Sequence, residues 1–184
     1  MDILIAGVGG QGTLLASRVL GKYALLKGYD VKLSEVHGMA QRGGSVITFV
    51  RIGKIVNSPI IDVGGADIIL AFEKLEALRY AHYRKKDGRI IYSTQEIMPM
   101  PVVTGVAEYP TDIESRLINS VGINAMDLAV KAGNAKAANS VMIGALTKIM
   151  GLDKDVMEAA LIESVPQKLV DLNKTAFNYG FEGI

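Results

Sequence analysis

The feature that most constrains this chain lies at its start, where the wholly apolar run Ile3–Ala6 passes into "GVGGQG" and then into a proline-free stretch from Thr13 to Lys27. A run without polar alternation suits a strand buried on both faces of a parallel sheet, since layers of helix must cover it from either side. Leu15, Val19 and Tyr23 recur at four-residue spacing until Gly28, which predicts a helix with a glycine stop. The opening unit is strand, glycine turn, helix.

In that setting Gly7, Gly9 and Gly12 fit the G-x-G-x-x-G pattern, with Gly10 and Gln11 completing the turn. Gly7 can take the tight turn, Gly9 can leave room for another backbone or a pyrophosphate, and Gly12 can let the helix pack closely with its N–H groups facing the loop. Dinucleotide binding also asks for an acidic residue near the end of the second strand to bond a ribose hydroxyl, and Glu35 occupies that place. Glycines that merely solve a packing problem would satisfy the same pattern. The turn is thus a candidate cofactor site, ready for an anion and with no nucleotide assigned.

The second strand is predicted in "YDVKLSEV", and "HGMAQRGGS" follows it, beside the first turn. His37 and Arg42 are candidate ligand-facing groups there, Gln41 and Ser45 are hydrogen-bond partners, and Gly43 and Gly44 leave backbone amides uncovered. A guanidinium beside bare amides suits a phosphate or a carboxylate. The alternative is a structural loop in which His37 bonds a backbone carbonyl and Arg42 pairs with an acidic neighbour.

Further on, "SVITFVRI" and "KIVNSPII" look like a hairpin around Gly53-Lys54, an antiparallel addition that predicts a mixed sheet. "ADIILAFE" predicts a third apolar strand, "KLEALRYAHYRKK" a helix and "GRIIYST" another strand. "YRKKDGR" is expected as the solvated end of that helix, "MPMPVV" as an extended connector and "SVGINAMD" as a short strand. "LAVKAG", "NAKAANSVMIGALTKIM", "KDVMEAALIESV" and "PQKLVDLNKTAFNYG" make the C-terminal third helical. Residues 1–184 are expected to form a single domain.

Composition narrows the chemistry. There is no cysteine among the 184 residues, so this chain cannot supply thiolates for a disulfide, a zinc site, an iron–sulfur cluster or nucleophilic catalysis. Twenty Lys plus Arg against nineteen Asp plus Glu give a net charge of +1, which marks out neither a nucleic-acid nor a membrane-surface partner. The acidic second residue and the lack of a long apolar run predict a soluble cytoplasmic protein. Neither H-x-x-x-H nor G-x-S-x-G occurs, and His82, flanked by Tyr80 and Tyr83, is read as a packed or half-exposed residue with no role. No catalytic or metal-binding residue is assigned.

Three segments together, "GVGGQG", "EVHGMAQRGGSV" and "NAKAANSVMIGAL", make the chain resemble the gamma-type subunits or domains of the 2-oxoacid:ferredoxin oxidoreductases, and within them the small subunits acting on indolepyruvate. The resemblance covers nearly the whole sequence, including "SPIIDVGGADIILAFEKLEALR". It implies a three-layer α/β/α, Rossmann-like variant with a mostly parallel, mixed sheet. It also implies a subunit that encloses part of a shared active centre, while thiamine diphosphate and the iron–sulfur clusters sit on a partner subunit and electrons pass to ferredoxin. Coenzyme A is then the cosubstrate, and the His37–Ser45 loop faces either it or the partner. The competing readings are an independent dinucleotide-dependent oxidoreductase, which lacks a visible proton-transfer constellation, and a nucleotide-binding module.

Overall fold

Alternate residues of β1 (Asp2–Val8) enter two different cores: Ile3 and Ile5 pack on one face of the sheet, Leu4 and Ala6 on the other. All four are inaccessible to solvent, as the two-residue period of a strand covered on both sides requires. The structure, a computed structural model, describes residues 1–37 and 43–184.

After β1 come α1 (Thr13–Leu26), β2 (Asp30–His37), β3 (Ser45–Gly53), β4 (Ala66–Ala71), α2 (Lys74–Tyr80) and β5 (Arg84–Ser93). Two one-turn helices, α3 (Met100–Val103) and α4 (Ile113–Arg116), lead to β6 (Ser120–Ile123). The C-terminal third is α5 (Ala125–Ala132), α6 (Ala138–Ile149), α7 (Lys154–Ile162) and α8 (Val170–Glu182). The six strands are ordered β2-β3-β1-β4-β5-β6, with β1, β4, β5 and β6 mutually parallel and β3 antiparallel to both of its neighbours. Side chains of α1 and α5–α8 build the core on one face, and those of α2 and α4 contribute to the other. The expected layered, mixed-sheet fold is therefore present.

Three local expectations change. The hairpin around Gly53-Lys54 does not form, because β3 lies between β2 and β1 with both its edges paired, and residues 54–65 have no strand to join. They are held as a loop instead: Asp30 accepts from the Val56 N–H at 2.9 Å, and Arg51 donates to the carbonyls of Ser58 and Ile60 at 3.3 and 3.1 Å. "RKKDG" is not a helix end but the bulged start of β5. Ala66 pairs with Arg84 and Ile68 with Arg89, and the Arg84 guanidinium straps the excess chain by bonding the carbonyls of Lys85, Lys86 and Gly88. The "MPMPVV" connector is extended only as far as Pro99, then coils into α3, where Pro101 is tolerated in a first turn that has no N–H partners to lose.

Candidate functional site

At the carboxyl ends of the parallel strands, β1 runs into the glycine turn and the turn into α1. Gly10 and Gly12 supply the left-handed backbone, with φ of 102° and 79°. Gly7 remains inside β1, paired with Val46, and a side chain there would meet Thr13 at 3.0 Å. The Gly9 N–H donates to the carbonyl of Gly44, in another loop of the same chain, at 2.9 Å. The two glycine-rich segments are thus joined by backbone.

Gln11 occupies the crevice where an open α/β sheet changes direction, between β1 and β4, the usual ligand position in such folds. Its Oε1 accepts from the Val8 N–H at 2.8 Å, and its Nε2 donates to the Phe72 carbonyl at 2.9 Å and to Gln95 Oε1 at 3.0 Å. On the far side Asn139 of α6 donates to the Gly12 carbonyl at 3.3 Å. A cavity of about 330 Å³ opens there, lined by Gly10, Gln11, Gly12, Gln95, Lys136 and Asn139 among others. Gln95, Lys136 and Asn139 belong to no motif that marks them as site residues in the sequence. Lys136 and Asn139 lie in the "NAKAANSVMIGAL" segment that carries the family resemblance.

On the other side of the turn a groove of about 370 Å³ brings together Gly9, Gly10, Gly12, Glu35, His37 and Val46. Glu35 accepts from Thr48 Oγ1 at 3.4 Å and lies 3.6 Å from Nδ1 of the exposed His37. With β3 inserted, Glu35 stands two strands from β1, roughly 9–10 Å away in the sheet. In the dinucleotide fingerprint the acidic strand is the immediate neighbour of β1. Gln41 and Arg42 lie outside the described residues.

Ser45 turns to the opposite face of the sheet. Its hydroxyl bonds the Glu76 carboxylate and lies 2.8 Å from the Tyr80 hydroxyl, beside a cavity of about 320 Å³ that Gly43, Glu73, Ile97 and Met98 also line. Glu73 caps α2 by accepting the Glu76 N–H at 2.8 Å, and it also accepts the Ile97 N–H at 3.0 Å and Tyr109 Oη at 3.4 Å. Burial pushes the Glu73 carboxyl above its ordinary range, and burial together with the Glu73 charge raises the Tyr109 phenol. Among the described residues no group of three or more His, Asp or Glu is placed to hold a metal ion, and the chain has no thiolate for a cluster. The residues present therefore do not fit an iron–sulfur group.

A glycine turn at the carboxyl ends of a mostly parallel sheet, tied to a second glycine loop across an antiparallel insert, defines a Rossmann-like domain whose acidic strand is not the neighbour of β1. The chain belongs to the pyruvate ferredoxin/flavodoxin oxidoreductase family, whose model matches residues 2–183. It is similar to the indolepyruvate oxidoreductase subunit IorB of Pyrococcus horikoshii, 44% identical with 97% of this chain and 93% of that protein covered. The subunit of the same name from Thermococcus kodakarensis is 43% identical with the same coverage. Among solved structures, the gamma subunit of a keto/oxoacid ferredoxin oxidoreductase from Geobacter sulfurreducens matches with a TM-score of 0.74 and 26% identity, covering 98% of this chain and 96% of that one.

Proposed function

We propose that residues 1–184 act as one gamma-type domain, the small subunit of a cytoplasmic 2-oxoacid:ferredoxin oxidoreductase whose substrate is indolepyruvate or a related aryl 2-oxo acid. The complex oxidatively decarboxylates the 2-oxo acid to an acyl-coenzyme A and passes the electrons to ferredoxin. Thiamine diphosphate and the iron–sulfur clusters belong to the partner subunit, where the thiamine would supply the electron sink for decarboxylation. The absence of cysteine here supports placing the clusters elsewhere, and the identity to subunits named for indolepyruvate supports the substrate.

This chain's part is to bind and orient. The observation that carries the reading is the Gly9–Gly44 bond, which joins the glycine turn and the histidine–arginine loop into one groove lined by Gly9, Gly10, Gly12, Glu35 and His37. The start of α1, which has no side-chain cap, and the Arg42 guanidinium suit the phosphates of coenzyme A, and Gly9 and Gly10 in the groove leave room for close approach. A cosubstrate held there sits at the edge of the subunit, where it can reach a centre on the partner and where solvent is excluded once the two join.

Arg42→Ala in the reconstituted complex tests this. The coenzyme A KM should rise about tenfold or more, the loss of a charge-assisted contact, while subunit assembly and thermal unfolding stay unchanged. Arg42→Lys should recover only part of the loss, since an ammonium lacks the planar fork. Wild-type KM values in both variants would remove the loop from the cosubstrate's path.

A further inference from the structure

Two carboxylates, Glu73 and Glu76, stand three residues apart at the start of α2 with only 1% and 4% exposure. Glu73 has an evident task as the helix cap, so α2 does not need a second carboxylate for that purpose. Glu76 bonds elsewhere. It accepts from Arg79 Nε at 3.0 Å and from the hydroxyl of Ser45, the first residue of β3. Because the Ser45 proton is committed to Glu76, the 2.8 Å contact between the Ser45 and Tyr80 hydroxyls has Tyr80 as donor. Ser45 is thus clasped by two side chains of one helix, as donor to one and acceptor from the other.

That clasp sits one residue from the bond that joins the two glycine segments. Gly44, whose carbonyl takes the Gly9 N–H, has glycine before it and Ser45 after it. With no side chain at Gly43 or Gly44 to pack, the placement of this carbonyl depends on Ser45, which is held by its pairing with Val8 at the end of the β1–β3 ladder and, beyond that last pair, by its side-chain clasp. Helix α2 itself is packed through Ala77, which is inaccessible to solvent, against the core that includes Ala6 of β1 and Ala71 of β4. It is a rigid reference from which to hold a glycine segment.

We propose that Glu76, acting through Ser45 and helped by Tyr80, is a positioning residue for the glycine turn: it fixes the Gly43–Ser45 segment so that the Gly44 carbonyl stays on the Gly9 amide. The consequence for turnover rests on the reading that the groove beside Gly9 receives coenzyme A. On that reading Glu76 never touches the cosubstrate, yet it sets the shape of the surface that does.

Amide hydrogen exchange on the full chain reads the clasp directly, and kinetics of the reconstituted complex read its consequence. Exchange at the Gly9 amide should quicken about five- to tenfold in Ser45→Ala and Glu76→Ala, the loss of one to two hydrogen bonds' worth of restraint. Amides of β4 in the same samples should hold their wild-type rates. Ser45→Thr retains the hydroxyl and should exchange like wild type, and the near-isosteric Glu76→Gln, which removes the charge with little change of volume, should be intermediate. In the complex, Ser45→Ala and Glu76→Gln should raise the coenzyme A KM severalfold with kcat within about twofold, as expected for lost binding without lost chemistry. Wild-type Gly9 exchange in Ser45→Ala and in Glu76→Gln would overturn the proposal. Faster Gly9 exchange with an unchanged KM would uphold the clasp and overturn the cosubstrate reading of the groove.

Discussion

Glu73 is a carboxyl held almost out of water, and its partners define what it can tolerate. Two backbone amides favour its ionised form, but burial outweighs them and raises the carboxyl above its ordinary 4.5. A carboxyl whose pKa is higher in the folded than in the unfolded chain binds a proton on folding. Its contribution to stability is therefore fully present below the unfolded value and is lost as pH rises through the folded one. Glu73→Gln removes that dependence. The stability of wild type relative to the variant should fall between about pH 4.5 and the raised folded value, and level off above it. Urea unfolding of both proteins across that window, fitted with a common m-value, checks this; a pH-independent difference would mean that Glu73 does not titrate differently in the two states. At this scale the sequence was legible only in part. The spacing of Gly7, Gly9 and Gly12 pointed to the turn, but not to Gln11 as the side chain that bridges it to Phe72 and Gln95. Nor did "FEKLE" say which glutamate would cap α2 and which would reach Ser45, because both outcomes depend on segments distant in the chain.

Helices α6 and α8 cross with their backbones in contact. A Cβ at Gly180 would lie 1.9 Å from the Val141 carbonyl, and one at Gly144 would lie 2.0 Å from that of Phe177. No rotamer relieves a clash with main chain, so the helices would have to separate. Gly180→Ala should destabilise the protein by roughly 2–3 kcal/mol, the scale of overpacking a tight interior, despite alanine's better helix propensity. A lower urea midpoint with an unchanged m-value is the expected result, and an unaltered midpoint would show that the crossing is looser than its geometry. The crossing also carries a buried hydrogen bond from Ser140 to Asn173 at 2.6 Å, which the same separation would lengthen. The helical character of both segments was readable from their apolar spacing. Their mutual approach was not, since a glycine in one helix acquires its meaning only from the carbonyl of another.

As a whole molecule the chain offers a glycine-lined groove, with no cysteine in its sequence. Purified alone, it should fold, bind no iron and show no oxidation of 2-oxo acids coupled to an electron acceptor. Activity should appear on adding the large partner subunit. Thiamine-dependent acceptor reduction by the isolated chain would contradict the assignment of chemistry to the partner. What the sequence determined by itself was whatever is encoded locally: a doubly buried first strand from an unbroken apolar run, a glycine turn, the helical C-terminal third from its period, and the lack of thiolate ligands from composition. Tertiary structure decided the rest. Strand order was beyond local pattern, because the run from Ser45 to Gly53 can satisfy its backbone against any free edge, and inserting between β2 and β1 leaves no partner for "KIVNSPII". That insertion moves Glu35 a strand away from the turn and places Gly44 on Gly9, so the same residues that spell a dinucleotide pattern along the chain form a two-loop groove in space. A pattern of residues specifies conformations a few bonds long, and hydrogen bonds between distant segments settle which surfaces those conformations face.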